Sequence, residues 1–296
     1  MGFKYAVIAN CQARPINRAI SILSGEQGVS VGTIITHLAK NQDEEGDLSI
    51  LLEADLIFAQ NVSNGYKVKH VVLDNLKREF PGKVVSWPNI FFTGQSPNLC
   101  YVTSSIGQRI LGPLHEYHYK PILECWQRRS SVKDCFDFVS EGTSPAMLIE
   151  RIEKSFIELK SREKALDVAI SDVIEGMWRR NRLFFTFNHP SSSLLLKVAS
   201  RAMNVAGILS LREVNADNFG EPLDKIIPPI SAPDARILDF EFPTSLTSKG
   251  MEMDLSGQAI IYGKSRMYEI VELIESSYNA YDHQRSLLAD VRFSAT

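Results

Sequence analysis

A five-residue apolar run, Tyr5-Ala6-Val7-Ile8-Ala9, stops abruptly at Asn10-Cys11-Gln12, and Pro15 follows within one helical turn. A short apolar run of this kind reads as a buried strand. Proline lacks an N–H and is best tolerated at the first position of a helix. The pattern predicts a strand over Lys4 to Ala9, an elbow over Asn10 to Arg14, and a helix from about Pro15 to Leu23, ending at Gly25. Ligands of open α/β sheets bind at the carboxyl ends of the strands. This elbow puts two amides, a thiol and a guanidinium there (Asn10, Gln12, Cys11 and Arg14). Helix N-termini favour anions, and a cysteine so placed can have a lowered pKa.

Further strands are expected over Val29–Thr36, Ala54–Gln60 and Lys83–Ser86, separated by the charged loop Asn41–Asp47 and a helix over Val68–Phe80. Strands alternating with helices predict a small parallel sheet. Trp87 to Val102 carries two prolines and a glycine among aromatics, which predicts an ordered loop rather than a regular element. Gly112-Pro113 is read as opening a helix that contains His115, Tyr117 and His118. Helices are also expected after Ser130-Ser131, from Pro145 to about Lys164, and over Ser171–Arg180. The fold class is thus α/β, a small parallel sheet with a large helical component. Arg182–Phe187 then repeats the opening pattern: an apolar strand, the elbow Asn188-His189-Pro190, and a helix to Val205. If the two strands are parallel neighbours, Cys11 and His189 share one site. Residues 208–296 read as an irregular C-terminal segment with a final helix over Met267–Tyr281, packed on the domain formed by 1–207; the last residues are expected to fray.

Composition excludes some functions. Lys and Arg total 32 against 35 Asp and Glu, a net charge of -3, which argues against a nucleic-acid partner. No stretch nears the roughly 18 apolar residues of a membrane span, and no secretory leader is expected. The four cysteines, Cys11, Cys100, Cys125 and Cys135, show no CxxC pairing, so a reduced, cytoplasmic compartment and no metal site are expected.

The elbow Ala9-Asn10-Cys11-Gln12-Ala13-Arg14, the block Pro88-Asn89-Ile90-Phe91-Phe92-Thr93-Gly94 with Pro97, Tyr117-His118, Arg162-Glu163 and Asn188-His189-Pro190 occur in one order. This ordered set resembles the WcbI-like capsular polysaccharide biosynthesis family, over roughly Lys4 to Gly207. Where the family elbow usually has a glycine, this chain has Ala9. The resemblance implies an acetyltransferase that uses acetyl-coenzyme A as co-substrate and a saccharide hydroxyl as acceptor. Acetyl transfer needs a base, oxyanion donors and a held coenzyme. His189 suits the base because imidazole titrates near neutrality, and Gln12, Asn188 and backbone N–H groups suit the oxyanion. Asn10 and Arg14 suit the coenzyme, and Tyr117 and His118 suit the acceptor or coenzyme site. His118 competes with His189 for the base. Cys11 either takes the acetyl group or only lines the thiol end of the coenzyme. A cysteine-dependent hydrolase using Cys11 and His189, and a non-catalytic sugar- or nucleotide-binding protein, are the alternatives.

Overall fold

The computed structural model describes residues 2–212, 214–288 and, for the backbone, 291–294; the fraying expected of the last residues falls in part outside them, at 295–296, while 291–294 forms a strand. In chain order the elements are β1 (Phe3–Ala9), α1 (Ala13–Ser24), β2 (Gly28–Ile35), α2 (Glu44–Glu53), β3 (Leu56–Gln60), α3 (Leu73–Glu79) and β4 (Val84–Trp87). They continue as β5 (Leu99–Ser104), β6 (Tyr117–Tyr119), α4 (Lys120–Gln127), α5 (Val132–Glu141), α6 (Pro145–Glu163), α7 (Ser171–Met177) and β7 (Phe184–Thr186). The rest are β8 (His189–Pro190), α8 (Ser192–Val205), α9 (Ala216–Phe219), α10 (Ala232–Ile237), β9 (Ser248–Asp254), β10 (Ile261–Tyr268), α11 (Ile270–His283) and β11 (Val291–Ser294). The fold class is the expected one: α/β, with a small parallel sheet and a large helical component.

The chain packs as two compact units, each drawn from three segments. The first comprises 1–90, 157–175 and 190–222. Its sheet has the order β2-β1-β3-β4, with every pair parallel. Side chains alternate across a strand. On one face, Ala6, Ile8, Ile57 and Ala59 pack in a core with Leu51, Val71 and Leu76. α1 packs on β1 and on α8. Both faces are therefore buried, which is why Tyr5 to Ala9 is apolar without interruption.

The second unit comprises 91–156, 176–189 and 223–296. It holds the antiparallel order β11-β5-β6, the β9-β10 hairpin, and α4, α5 and α11 around a core that includes Cys100, Tyr117, Leu123, Cys135, Leu273 and Tyr281. Ser131 caps α5 by accepting the N–H of Asp134, as its place in the sequence predicts. No helix among the described residues is long and apolar enough to cross a membrane.

Several local expectations are corrected. α1 starts at Ala13, not Pro15, and puts Pro15 in its first turn, where an N–H has no intrahelical acceptor in any case. Arg14 is therefore helical rather than part of the loop. The charged loop expected over Asn41–Asp47 instead leads into α2, whose first turn carries Glu44, Glu45 and Asp47, matching the helix dipole. The helix expected from Gly112-Pro113 is a turn followed by β6. Gly112 and His115 exchange backbone hydrogen bonds at 2.8 and 2.9 Å, and His115 sits at φ 61°, which ends any helix. Residues 208–247 are largely irregular, with two short helices among the described residues, but 248–268 forms the β9-β10 hairpin. The premise that the strand before Asn188 lies beside the first strand is also overturned: β1 pairs with β2 and β3, and β7 belongs to a separate two-stranded ladder.

Candidate functional site

The order β2-β1-β3-β4 puts the topological switch point between β1 and β3, the place where ligands bind in open α/β sheets. The loop after β1 is the elbow Asn10-Cys11-Gln12, and β3 ends at Gln60. Gln60 is buried, and its amide ties the elbow together. Its Oε1 accepts the backbone N–H of Asn10 at 3.1 Å, and its Nε2 donates to Gln12 Oε1 at 3.1 Å and to Asn89 Oδ1 at 3.4 Å. Asn10 Oδ1 accepts the N–H of Gln12 at 3.0 Å, and Asn10 Nδ2 donates to Asn89 Oδ1 at 3.4 Å. Gln12 Nε2 donates to the carbonyl of Ile90 at 3.1 Å. Four neutral amides thus fix one another, and each buried polar atom named here has a partner, as burial demands.

Cys11 projects from this frame, half-buried, with its thiol 3.7 Å from Asn10 Oδ1. Arg14 is exposed on the first turn of α1. Ala9, where the family pattern has glycine, closes β1 as a fully buried strand residue, and it is not among the residues with positive φ. The elbow therefore needs no left-handed conformation at that position.

The second unit holds a separate polar cluster. Tyr117 donates its hydroxyl to Asn188 Oδ1 at 2.8 Å, Thr186 Oγ1 donates to the same oxygen at 3.0 Å, and Asn188 Nδ2 donates to the Tyr101 hydroxyl at 3.2 Å. Tyr101 and Tyr117 stack with centroids 5.2 Å apart. His189 Nε2 lies 3.4 Å from the Tyr117 hydroxyl, whose proton is directed at Asn188. That network assigns the imidazole proton to Nε2. It leaves Nδ1, which is buried and has no hydrogen-bond partner, as the acceptor. Burial, with a smaller contribution from His115, pushes the His189 pKa down to about 4, so the ring is neutral at pH 7. His189, Tyr117, His115, Glu116 and Lys225 line a cavity of about 210 Å³.

His118 is a core residue. Its Nδ1 is 3.0 Å from the Tyr281 hydroxyl and its Nε2 3.0 Å from the carbonyl of Ile110. Burial pushes its pKa down to about 4. With both nitrogens occupied inside the core, it is available neither as a base nor as a coenzyme ligand, contrary to the sequence expectation. The strand alternation of β6 explains this, since it turns His118 to the opposite face from Tyr117. Glu163 caps α7: its carboxylate accepts the N–H groups of Ile170 and Ser171 at 2.9 and 3.0 Å, and also the Ser171 hydroxyl. Gln60 and Asn89 were missed as site residues. The available signal was a strand ending in a polar residue at the height of Asn10.

An amide-framed elbow at the switch point of a parallel sheet is the ligand-binding arrangement of open-sheet α/β enzymes. The profile of the family described as polysaccharide biosynthesis enzyme WcbI matches residues 4–210, and the chain belongs to that family of enzymes. A solved structure of WcbI, described as a novel polysaccharide biosynthesis enzyme, resembles the chain with a TM-score of 0.73 and 20% identity over 97% of each chain. That structure is of the native protein without a disulfide bond between coenzyme A and one of its cysteines; at this identity the likeness is one of fold. No curated protein matches the chain.

Proposed function

We propose that this member of the family moves an acetyl group from acetyl-coenzyme A to a sugar hydroxyl in surface or capsular polysaccharide biosynthesis. The observation that carries the reading is the elbow: a half-buried thiol held by neutral amides beside the first turn of a 12-residue helix. The donor set fits a thioester end. Asn10, Gln12, Gln60 and Asn89 are uncharged and suit a neutral acyl group, while Arg14 offers a guanidinium to a coenzyme phosphate. When bound, the coenzyme supplies an acetyl group activated as a thioester.

The start of α1 faces negative charge as it develops on the carbonyl oxygen, whereas Gln12, fully buried with its amide engaged by Ile90 and Gln60, holds the elbow and is not the oxyanion donor expected from the sequence. Cys11 lines the thiol end, because passing an acyl group from one thiol to another gains little. His189, which lines the cavity of about 210 Å³, is the proposed base for a hydroxyl proton, and the Tyr117 hydroxyl, itself held by Asn188, fixes its ring. A saccharide hydroxyl is the proposed acceptor.

The test is turnover. Acetyl-coenzyme A is incubated with a panel of sugars, and coenzyme release and acetylated product are measured. No release above background from a protein that still binds coenzyme A would sink the reading. Complete loss of activity in Cys11→Ala, with hydrolysis of acetyl-coenzyme A in place of transfer in the wild type, would point instead to a cysteine-dependent hydrolase.

A further inference from the structure

The second unit contains a larger cavity, of about 450 Å³, lined by three basic side chains: Lys120, Arg128 and Arg151. One carboxylate, Glu124, shares the lining. Two helices begin at this cavity. Lys120 and Pro121 open α4, and Thr143 and Ser144 lead into the 19-residue α6; neither helix has an acid in its first turn. Their first N–H groups lack intrahelical acceptors, and the dipoles add partial positive charge.

The basic groups are only partly engaged. Arg151 donates to Asn98 Oδ1 at 2.7 Å and to the carbonyl of Pro97 at 3.2 Å, and both acceptors are uncharged. Arg128 lies 3.8 Å from Glu124, an exposed pair that contributes little. Lys120 is half-buried, and its ammonium makes no hydrogen bond or ion pair among the described residues. Burial, and next the Arg151 guanidinium, push its pKa down. The nearby buried acid, Asp234, is occupied by the N–H of Thr143 at 2.6 Å and by Asn98 Nδ2 at 2.8 Å. A half-buried ammonium beside a guanidinium, attracted by the nearby Glu124 carboxylate but forming no ion pair with it among the described residues, is costly to fold unless an anion joins it. Phe138, Val139 and Met147 add apolar lining, and the cavity's size suits a small molecule rather than a bare ion.

We propose that this cavity binds the phosphate group of a small organic phosphate, with Lys120 as its principal cation and Arg128 and Arg151 flanking it. Three cations and two helix N-termini suit a multiply charged phosphate better than a single carboxylate. The proposal does not rest on acetyl transfer. The phosphate can belong to a sugar phosphate or to coenzyme A, and the test separates the two.

Calorimetric titration of the full chain with pyrophosphate, glucose 1-phosphate and coenzyme A measures the binding. Pyrophosphate is expected to bind the wild type, and Lys120→Met to weaken it at least tenfold. Arg128→Met should weaken it severalfold, and Lys133→Met, on the exposed face of α5, should leave it unchanged. Circular dichroism checks that each variant is folded. A parallel loss of coenzyme A affinity in Lys120→Met assigns the phosphate to the coenzyme; a loss confined to glucose 1-phosphate assigns it to a sugar phosphate. Failure of all three probes to bind the wild type overturns the proposal. So does equal binding by folded Lys120→Met and folded Arg128→Met.

Discussion

The side-chain amide of Gln60 donates to Gln12 Oε1 at 3.1 Å, across 48 residues of sequence, and its own oxygen accepts the backbone N–H of Asn10. One residue at the end of β3 thereby fixes the loop that leaves β1. The ends of the two strands on either side of the switch point become one rigid frame.

Gln60→Leu removes these two bonds and the one to Asn89 Oδ1, and keeps the volume. It leaves the N–H of Asn10 and the oxygen of Gln12 without this partner, at a cost of about 2–4 kcal/mol. Urea denaturation should show a lower midpoint, and the thermal shift on adding coenzyme A should shrink or vanish. Wild-type stability and an unchanged shift would show that the amide frame is not what shapes the elbow.

Cys11→Ala separates a lining role from a nucleophilic one. With Cys11 only lining the thiol end, kcat for transfer should fall by less than about a hundredfold, and no acetylated Cys11 should be trapped in the wild type by mass spectrometry. A drop to the uncatalysed rate, with an acetyl adduct on Cys11, would establish the two-step route.

Acid should destabilise the protein through its histidines. His118 and His189 have pKa values lowered by burial from 6.5 to about 4. Between these limits the unfolded chain binds more protons than the native one, so stability rises with pH across that window and is lost as pH falls from 6.5 towards 4. Each group contributes on the order of 3 kcal/mol over the whole interval. The unfolding free energy measured from pH 4 to 7 should climb more shallowly in a folded His189→Gln variant. The same depressed value puts the acid limb of kcat/KM near pH 4, so a limb near 6.5 would remove His189 from the role of base.

Glu163→Gln tests a cap rather than a site. The neutral amide accepts the N–H groups of Ile170 and Ser171 less strongly and loses the charge–dipole term, costing about 1 kcal/mol. Thermal unfolding should shift down by a few degrees, with kcat unchanged at 25 °C. A large drop in kcat without a stability change would place Glu163 in the chemistry instead.

The sequence by itself determined what depends on local pattern. An apolar run stopped by polar residues placed β1, β3 and β4. The pair Ser130-Ser131 marked the start of α5. The ordered elbows and the Pro88-Asn89 block pointed to the family. These signals survive because strand alternation, helix capping and turn chemistry act over a few residues. Only the tertiary structure decided which polar residues are partners. Gln60 looked like a strand end until β3 was laid beside β1, and His118 like a ligand until the Tyr281 hydroxyl and the Ile110 carbonyl enclosed its ring. A hydrogen bond between residues 48 or 163 positions apart leaves no mark on the local sequence, because its geometry is set by the packing of whole elements rather than by either residue alone.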